Sequence, residues 1–170
     1  MATNTAAAIE QFRTAFQDKV VTPDTISEYE AAVARPWSQT CWVPAAGYVY
    51  PSSTQELAEA LAIIKKTWSK FAIRTTGHNP NAGWSSADQA AIVLDISRLR
   101  SMELGPDGVA RLGSGCTWGE VYAWLEEQKL SAIGGRDQQV GLGGFLLGGI
   151  CLSFRKALLS RWRGLEANSN

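Results

Sequence analysis

Residues 74–79 combine the side chains and the backbone freedom that an anion-binding loop requires. The segment reads Arg-Thr-Thr-Gly-His-Asn and overlaps a short run, Phe71 to Thr75, in which apolar and polar residues alternate as in a strand. Because glycine permits a sharp turn, successive backbone N–H groups can point at one anion, and the threonine and asparagine side chains add donors. A diphosphate suits such a loop. An ordinary strand-to-loop turn accounts for the same residues, so the segment alone leaves both interpretations open.

A second segment, residues 134–149, is unusual because seven of its sixteen residues are glycine. Ordering an interior glycine costs about 0.5–1 kcal/mol more than ordering alanine, so this density suits a backbone that something flat or bulky must approach. A planar cofactor and the tight packing of two backbones both remain open. A flexible linker is disfavoured, because apolar residues alternate with the glycines: Val140, Leu142, Phe145, Leu146 and Leu147. A Gly-x-Gly-x-x-Gly dinucleotide fingerprint is excluded, because Leu146 stands at its third glycine and the segment opens no β-α-β unit.

The histidine and the cysteines indicate no metal site. His78 is the only histidine in the 170 residues, and a lone histidine in a loop is more often a hydrogen-bonding or surface residue than a catalyst. Cys41, Cys116 and Cys151 are odd in number and widely spaced, which matches neither a disulfide framework nor a zinc pattern. We expect three free thiols in a reducing compartment.

The elements that position these segments follow from periodicity and turn residues. The predicted elements are a helix from Ala6 to Asp18, a strand from Gly47 to Tyr50, a helix from Thr54 to Trp68, a strand from Phe71 to Thr75, a loop from Gly77 to Ser86, strands from Ala91 to Ile96 and from Val109 to Leu112 joined through a turn at Gly105 to Gly108, and a helix from Thr117 to about Gln128. The inward faces are expected to comprise Ile9, Phe12, Ala15 and Phe16 in the first helix, and Leu57, Leu61 and Ile64 in the second, which Ser53 or Thr54 caps.

The strands are too few and too short for a full doubly wound sheet. The expected fold class is therefore α+β, with α/β character.

Composition excludes several function classes. Sixteen basic residues balance sixteen acidic ones, and no basic stripe indicates nucleic-acid binding. The most apolar stretch, Val140 to Phe154, is shorter than the roughly 20 residues of a membrane-spanning helix and carries five glycines. The first 19 residues lack the apolar core of a signal peptide. We expect a soluble, intracellular, cytoplasmic protein with a small-molecule substrate, no nucleic-acid partner and no membrane partner; its oligomeric state is not predicted.

Several motifs, in the same order, resemble one known family. Residues 74–79 resemble the Arg-Ser-Gly-Gly-His signature of the PCMH-type FAD-binding domain, which the vanillyl-alcohol oxidase and p-cresol methylhydroxylase superfamily shares. The berberine-bridge-enzyme-like FAD-linked oxidoreductases, many of them from fungal secondary metabolism, look most similar. Residues 134–149 resemble the second flavin-contacting segment of that domain. Further matches are residues 41–44, 50–54, 94–99 and 113–122, so that the resemblance covers about residues 36–149.

The resemblance implies a cofactor, FAD, and a set of residues that contact it. The expected cofactor-binding residues are Arg74, Thr75, Thr76, Gly77, His78 and Asn79 around the pyrophosphate, and Gly135, Val140, Gly141, Gly143, Gly144, Gly148 and Gly149 against the cofactor. His78 stands where many relatives bond the flavin 8α-methyl carbon through an imidazole nitrogen. Some relatives add a cysteinyl bond at a position that aligns with Asp137, so we expect one covalent attachment at most.

The resemblance also implies an organisation and an activity. The expected parts are an N-terminal helical extension (1–35), an incomplete PCMH-type FAD-binding domain (36–150) and a divergent tail (151–170), whose loss of pattern suggests truncation. The implied function is an FAD-linked oxidoreductase that passes a hydride from an organic substrate, such as a secondary metabolite, to flavin, with O2 as acceptor. The alternative is a catalytically inactive remnant or a non-catalytic flavin-binding module. No catalytic base is nominated, because the resemblance assigns that role to a substrate domain outside these residues.

Overall fold

The computed structural model describes residues 4–148, which form two compact units, residues 4–99 and residues 100–148. Each unit has its own apolar core. Within residues 4–148, no helix combines the length and the apolar character needed to cross a bilayer. Over the same range, no three His, Cys, Asp or Glu side chains are grouped so that they could hold a metal ion. Gly149 and the divergent tail, both named in the sequence predictions, lie outside the described residues.

The first unit is a mixed four-stranded sheet with helices on both faces. Its elements are, in order, α1 (Asn4–Phe16), β1 (Val20–Val21), α2 (Ile26–Val33), β2 (Gly47–Val49), α3 (Thr54–Thr67), β3 (Lys70–Arg74) and β4 (Ala91–Asp95), with short 3-10 turns at Gln17–Lys19 and Gln39–Cys41. The strand order is β1-β2-β4-β3; β1 runs antiparallel to β2, and the other pairs are parallel. Strand β4 is buried at all five residues, as a parallel strand covered on both faces requires.

The helices pack on the sheet through faces that differ from the predicted ones at two positions. In α3, Ala60, Ile63 and Ile64 are buried, but Leu61 is 37% exposed, so the prediction that it faces inward is wrong. In α1, the buried positions follow the spacing of Ala8, Phe12 and Phe16, and this places Ala15 on the exposed side. In both helices a small alanine on the buried stripe lets the backbone approach the sheet.

Helix α3 begins at the predicted cap. The Ser53 hydroxyl accepts a hydrogen bond from the Glu56 backbone N–H at 3.1 Å, as an N-cap residue does. Glu56 in turn accepts from Lys19 Nζ at 2.6 Å and from the Ser52 backbone N–H at 2.8 Å. These contacts lower the pKa of the Glu56 carboxyl to about 2. At its other end the helix stops because Trp68 adopts the left-handed conformation, with φ of 55°.

The second unit combines a hairpin with two helices. Strands β5 (Met102–Leu104) and β6 (Ala110–Leu112) pair antiparallel, and α4 (Trp118–Glu127) and α5 (Leu142–Leu147) follow. The turn at residues 105–108 thus joins β5 to β6, and the prediction that it joins β4 to the next strand is wrong because a short strand intervenes. Thr117 and Glu120 form a reciprocal capping box at the start of α4. The core of this unit contains Cys116, Trp118, Val121, Leu125 and Leu142.

Four of the described helices and strands escaped the sequence analysis: β1, α2, β5 and α5. Helix α2 buries only Ala32, so its sequence shows no clear apolar stripe. Strand β1 has two residues and strand β5 has three, and none of them is buried, so neither strand shows a buried apolar run. Helix α5 lies inside the glycine-rich segment, where composition disfavours a helix.

Candidate functional site

Arg74, the first residue of the predicted loop, lies in the core of the first unit. Its side chain is 1% exposed; Nε donates to Asp95 Oδ2 at 3.0 Å, and Nη1 donates to the Ala32 carbonyl at 3.0 Å. The guanidinium carbon lies 5.0 Å from the centre of the Tyr48 ring. These contacts hold the end of β3, from which the loop departs. Direct contact between Arg74 and the cofactor stays a prediction.

Asp95 is the fully buried carboxylate around which this cluster forms. Besides Arg74, it accepts from Arg35 Nη1 at 2.7 Å, and its second oxygen accepts from the Ser97 backbone N–H at 3.1 Å. The Arg35 guanidinium also donates to the Ser97 hydroxyl at 2.9 Å. A buried charge is tolerated only when it is paired and hydrogen-bonded in this way. The cluster therefore fixes where β3 and β4 end and where the loop begins.

Thr75, Thr76 and Gly77 form the start of the loop, and their geometry suits a polar ligand. Both threonines are half-buried. The Thr76 hydroxyl is buried, and no group in the part of the chain that the structure describes hydrogen-bonds to it. A buried polar atom left in this state costs about 1–3 kcal/mol, so it marks a place where a further polar group belongs. Gly77 has φ of +73°, a backbone conformation that residues with a side chain rarely adopt.

His78 and Asn79 continue the loop, and both are half-buried. The indole Nε1 of Trp37 donates to the His78 carbonyl, and the Trp37 ring lies beside the imidazole with centroids 5.9 Å apart. Asn79 Oδ1 accepts from the Asn81 backbone N–H at 2.9 Å, so this amide turns the chain back on itself. The structure thus places all six predicted residues, 74–79, at the carboxyl end of the edge strand β3 and in the turn that follows it.

In the second unit, the close approach to Gly135 is made by the protein itself. A Cβ on Gly135 would lie 2.6 Å from the Trp118 ring, and one on Gly134 would lie 2.2 Å from it. The Gly135 carbonyl accepts from the Tyr122 hydroxyl at 2.7 Å. The indole of Trp118 is therefore one flat group for which these two glycines make room.

The remaining residues of this segment divide into a packed part and an open part. Val140 packs on the core, and its carbonyl accepts from the Trp118 backbone N–H at 3.0 Å. Gly141 bridges to Thr117, and the Gly143 N–H donates to the Ser114 carbonyl at 3.2 Å. By contrast, a Cβ on Gly144 would meet nothing within 4 Å, and Gly148 is exposed. The open part is where a planar ligand has access to the backbone.

Sequence reasoning missed the residues that support the loop. Trp37, Thr40 and Cys41 contact its carbonyls, and Arg35 and Asp95 fix its origin. Asp95 and Cys41 stand inside motifs that matched the family, but nothing in their spacing indicates which atoms they contact.

Comparison with known proteins identifies the fold and the cofactor. Residues 45–158 match the model of the FAD binding domain family. The chain belongs to this family. A histidine-to-alanine variant of berberine bridge enzyme in complex with (S)-reticuline has the same fold, with a TM-score of 0.70 and 19% identity over 85% of this chain and 31% of that one. The predicted α+β fold, the FAD-binding PCMH-type family and the cofactor FAD are thereby confirmed.

The relatives by sequence are fungal flavoproteins. An FAD-dependent monooxygenase of Arthrobotrys oligospora is 38% identical over 73% of this chain and 24% of its own length. An FAD-dependent monooxygenase of Penicillium roqueforti, prx3, is 35% identical over 85% of this chain and 28% of its own length. The chain thus spans about a quarter of the length of these relatives.

The unpartnered Thr76 hydroxyl and the left-handed Gly77 fit the diphosphate of FAD, which offers acceptors for both the hydroxyl and the backbone.

Proposed function

We propose that this domain serves an FAD-linked oxidoreductase that removes a hydride from a small organic substrate, a secondary metabolite, and uses O2 as the electron acceptor. The observation that carries the proposal is the loop at residues 75–79, where an unpartnered buried hydroxyl, a left-handed glycine and a half-buried histidine follow one another. The monooxygenase names of the fungal relatives support the part played by O2. An intracellular location accompanies the proposal, because Cys41 and Cys116 are free thiols.

Within this proposal, the residues of the chain have separate roles. The backbone of residues 75–79 and the Thr76 hydroxyl bind the diphosphate, while Arg74 and Asp95 hold the strand from which the loop departs. The exposed backbone at Gly144 and Gly148 receives the flat part of the cofactor. When bound, the flavin accepts the hydride, and the protein orients it and excludes water.

We propose in addition that His78 attaches the flavin covalently. One imidazole nitrogen forms a bond to the flavin 8α-methyl carbon, and the C–H and N–H hydrogens that this bond replaces leave as two protons and two electrons. O2 takes up these electrons and protons to give H2O2. Asp137 has no thiol, and its carboxylate accepts from the Gln139 backbone N–H at 2.8 Å. The attachment is therefore single.

The test is to prepare the 170-residue chain with FAD, record its visible spectrum and precipitate it with acid. We expect the yellow colour to remain in the pellet, and we expect His78→Ala to release it into the supernatant. Asp137→Ala serves as the matched control and leaves the pellet coloured. A folded chain that binds no flavin contradicts the proposal. A chain whose colour leaves the pellet contradicts only the covalent attachment.

A further inference from the structure

A segment with no assigned role, residues 36–41, contacts the loop residue by residue. We call residues 36–41 the clamp. The Thr40 hydroxyl donates to the Pro80 carbonyl at 3.1 Å, and the Cys41 thiol donates to the Asn79 carbonyl at 3.4 Å. The loop carbonyls are thus satisfied by side chains from one short stretch that lies about 40 residues earlier in the chain.

The same stretch contacts the two preceding loop residues. A Cβ on Gly77 would come within 3.0 Å of Pro36 Cα, so the two backbones are in close contact. Trp37 Nε1 donates to the His78 carbonyl, and the indole ring is tilted by 40° to the imidazole. Four consecutive residues, 77–80, are therefore held by four residues of the clamp. Such complete coverage restricts both the backbone and the imidazole.

The clamp is itself fixed to the sheet. Trp42 Nε1 donates to the Pro36 carbonyl at 2.7 Å, and residues 39–41 form a 3-10 turn. Immediately before the clamp, Arg35 pairs with Asp95 at the end of β4. The buried ion cluster thus anchors both the loop, through Arg74, and the clamp, through Arg35. Loop and clamp are placed by the same carboxylate.

Trp37 has a feature that packing alone does not require. Its side chain is 61% exposed, yet it uses its only polar hydrogen on the His78 carbonyl and its ring on the His78 imidazole. A large aromatic group left this exposed contributes little to the core. Its contacts with His78 from both the backbone side and the ring side account for its position.

We infer that Trp37 is a positioning residue for His78, and that it sets the orientation of the imidazole for attachment to the flavin. The inference rests on the proposed attachment at His78. Misplacement of a reacting group by about 1 Å costs up to about 100-fold in rate. We therefore expect Trp37→Leu to slow covalent flavin incorporation by about 10- to 100-fold, while non-covalent flavin binding, measured early after mixing, is retained.

The first measurement needs no flavin. Because His78 is the only histidine, its imidazole proton resonances in a tag-free 170-residue chain are assigned without ambiguity. In Trp37→Leu, we expect these resonances to lose the ring-current shift from the indole. Trp84→Leu is the matched control, since Trp84 stands six residues after His78 and is 73% exposed; its removal should leave the resonances in place. Unchanged resonances in a Trp37→Leu chain with wild-type far-ultraviolet circular dichroism would overturn the inference.

The second measurement follows acid-stable flavin with time after FAD is added. Trp37→Phe keeps an aromatic ring but loses the N–H donor and part of the ring area, so we expect a rate between those of the wild type and Trp37→Leu. This variant also provides the test if the leucine variant fails to fold. Equal rates in all three proteins overturn the inference. If the wild type itself forms no acid-stable flavin while the resonances move as expected, the covalent attachment fails and the contact of Trp37 with His78 stands.

Discussion

The two segments that the sequence singles out use glycine for opposite purposes. In the loop at residues 74–79, one glycine turns the chain, and side chains from elsewhere in the unit hold the resulting carbonyls. In residues 134–148, the first two glycines make room for the protein's own Trp118, and only Gly144 and Gly148 leave open backbone. Glycine density thus indicates close approach without indicating what approaches. This difference can be tested with substitutions in each segment: a charge is removed or a side chain is added at the loop, and a side chain is added in residues 134–148.

The largest effect is expected at the base of the loop. Asp95→Asn removes the charge that pairs with Arg74 and Arg35, and it leaves a buried guanidinium without compensation, at a cost of about 3–5 kcal/mol in the free energy of unfolding. Denaturant titration followed by circular dichroism measures this. Asp88→Asn is the control. Asp88 is exposed, and its Oδ1 accepts a hydrogen bond from the Ala90 backbone N–H, which the side-chain oxygen of asparagine can also accept. If Asp95→Asn is as stable as this control, the ion cluster does not hold the loop.

The next effect is expected at the turn of the loop. Gly77→Ala places a side chain at φ of +73°, which costs about 1–2 kcal/mol, and it also presses a methyl group on Pro36, at about 1–3 kcal/mol for overpacking. Gly83→Ala is a control for the first cost alone, since Gly83 has φ of +84° with nothing within 4 Å. Thermal denaturation of the two variants should separate the two contributions. Equal destabilisation of both would show that the contact with Pro36 is unimportant.

The smallest effect is expected in the glycine-rich segment. Gly135→Ala pushes a methyl group toward Trp118, which can tilt away in part, so we expect destabilisation of about 1–3 kcal/mol. The matched control is Gly144→Ala, which fills open space inside α5 and should stabilise the chain by about 0.5–1 kcal/mol. A double-mutant cycle with Trp118→Leu should relieve the cost at Gly135. If Gly135→Ala is equally destabilising in the Trp118→Leu background, a group other than the indole requires glycine at position 135.

The sequence predicts the long, regular elements of this fold and fails where stability depends on pairing across the chain. Helix α3 is predicted almost to the residue because Ser53 and the apolar spacing act locally. The pair Arg74–Asp95 could not be predicted, because it exists only through the parallel register that sets Arg74 opposite Asp95. The contact of Trp118 with Gly134 and Gly135 could not be predicted either. The glycines are conspicuous in the sequence, but the ring that fills the space beside them belongs to the first residue of α4.

The family motif therefore located the candidate site, whereas the contacts that shape it required the structure. Residues 74–79 could be found from their types and order. Trp37 and Thr40 could not, since a tryptophan and a threonine in a turn-rich stretch carry no periodic signal. Their partners are backbone carbonyls, which every residue possesses and no sequence distinguishes.

The central position of β4 also bears on how the chain is made. Strand β4 lies between β2 and β3, and the Thr5 hydroxyl of α1 donates to the Ala90 carbonyl just before it. The first helix therefore packs on a strand that is synthesised some 85 residues later. At a synthesis rate of roughly 5–20 residues per second, this delay amounts to several seconds. Throughout that interval Phe12 and Phe16 lack Ile92 and Leu94, the β4 residues with which they share a core, so the first helix exposes its apolar face until β4 has left the ribosome.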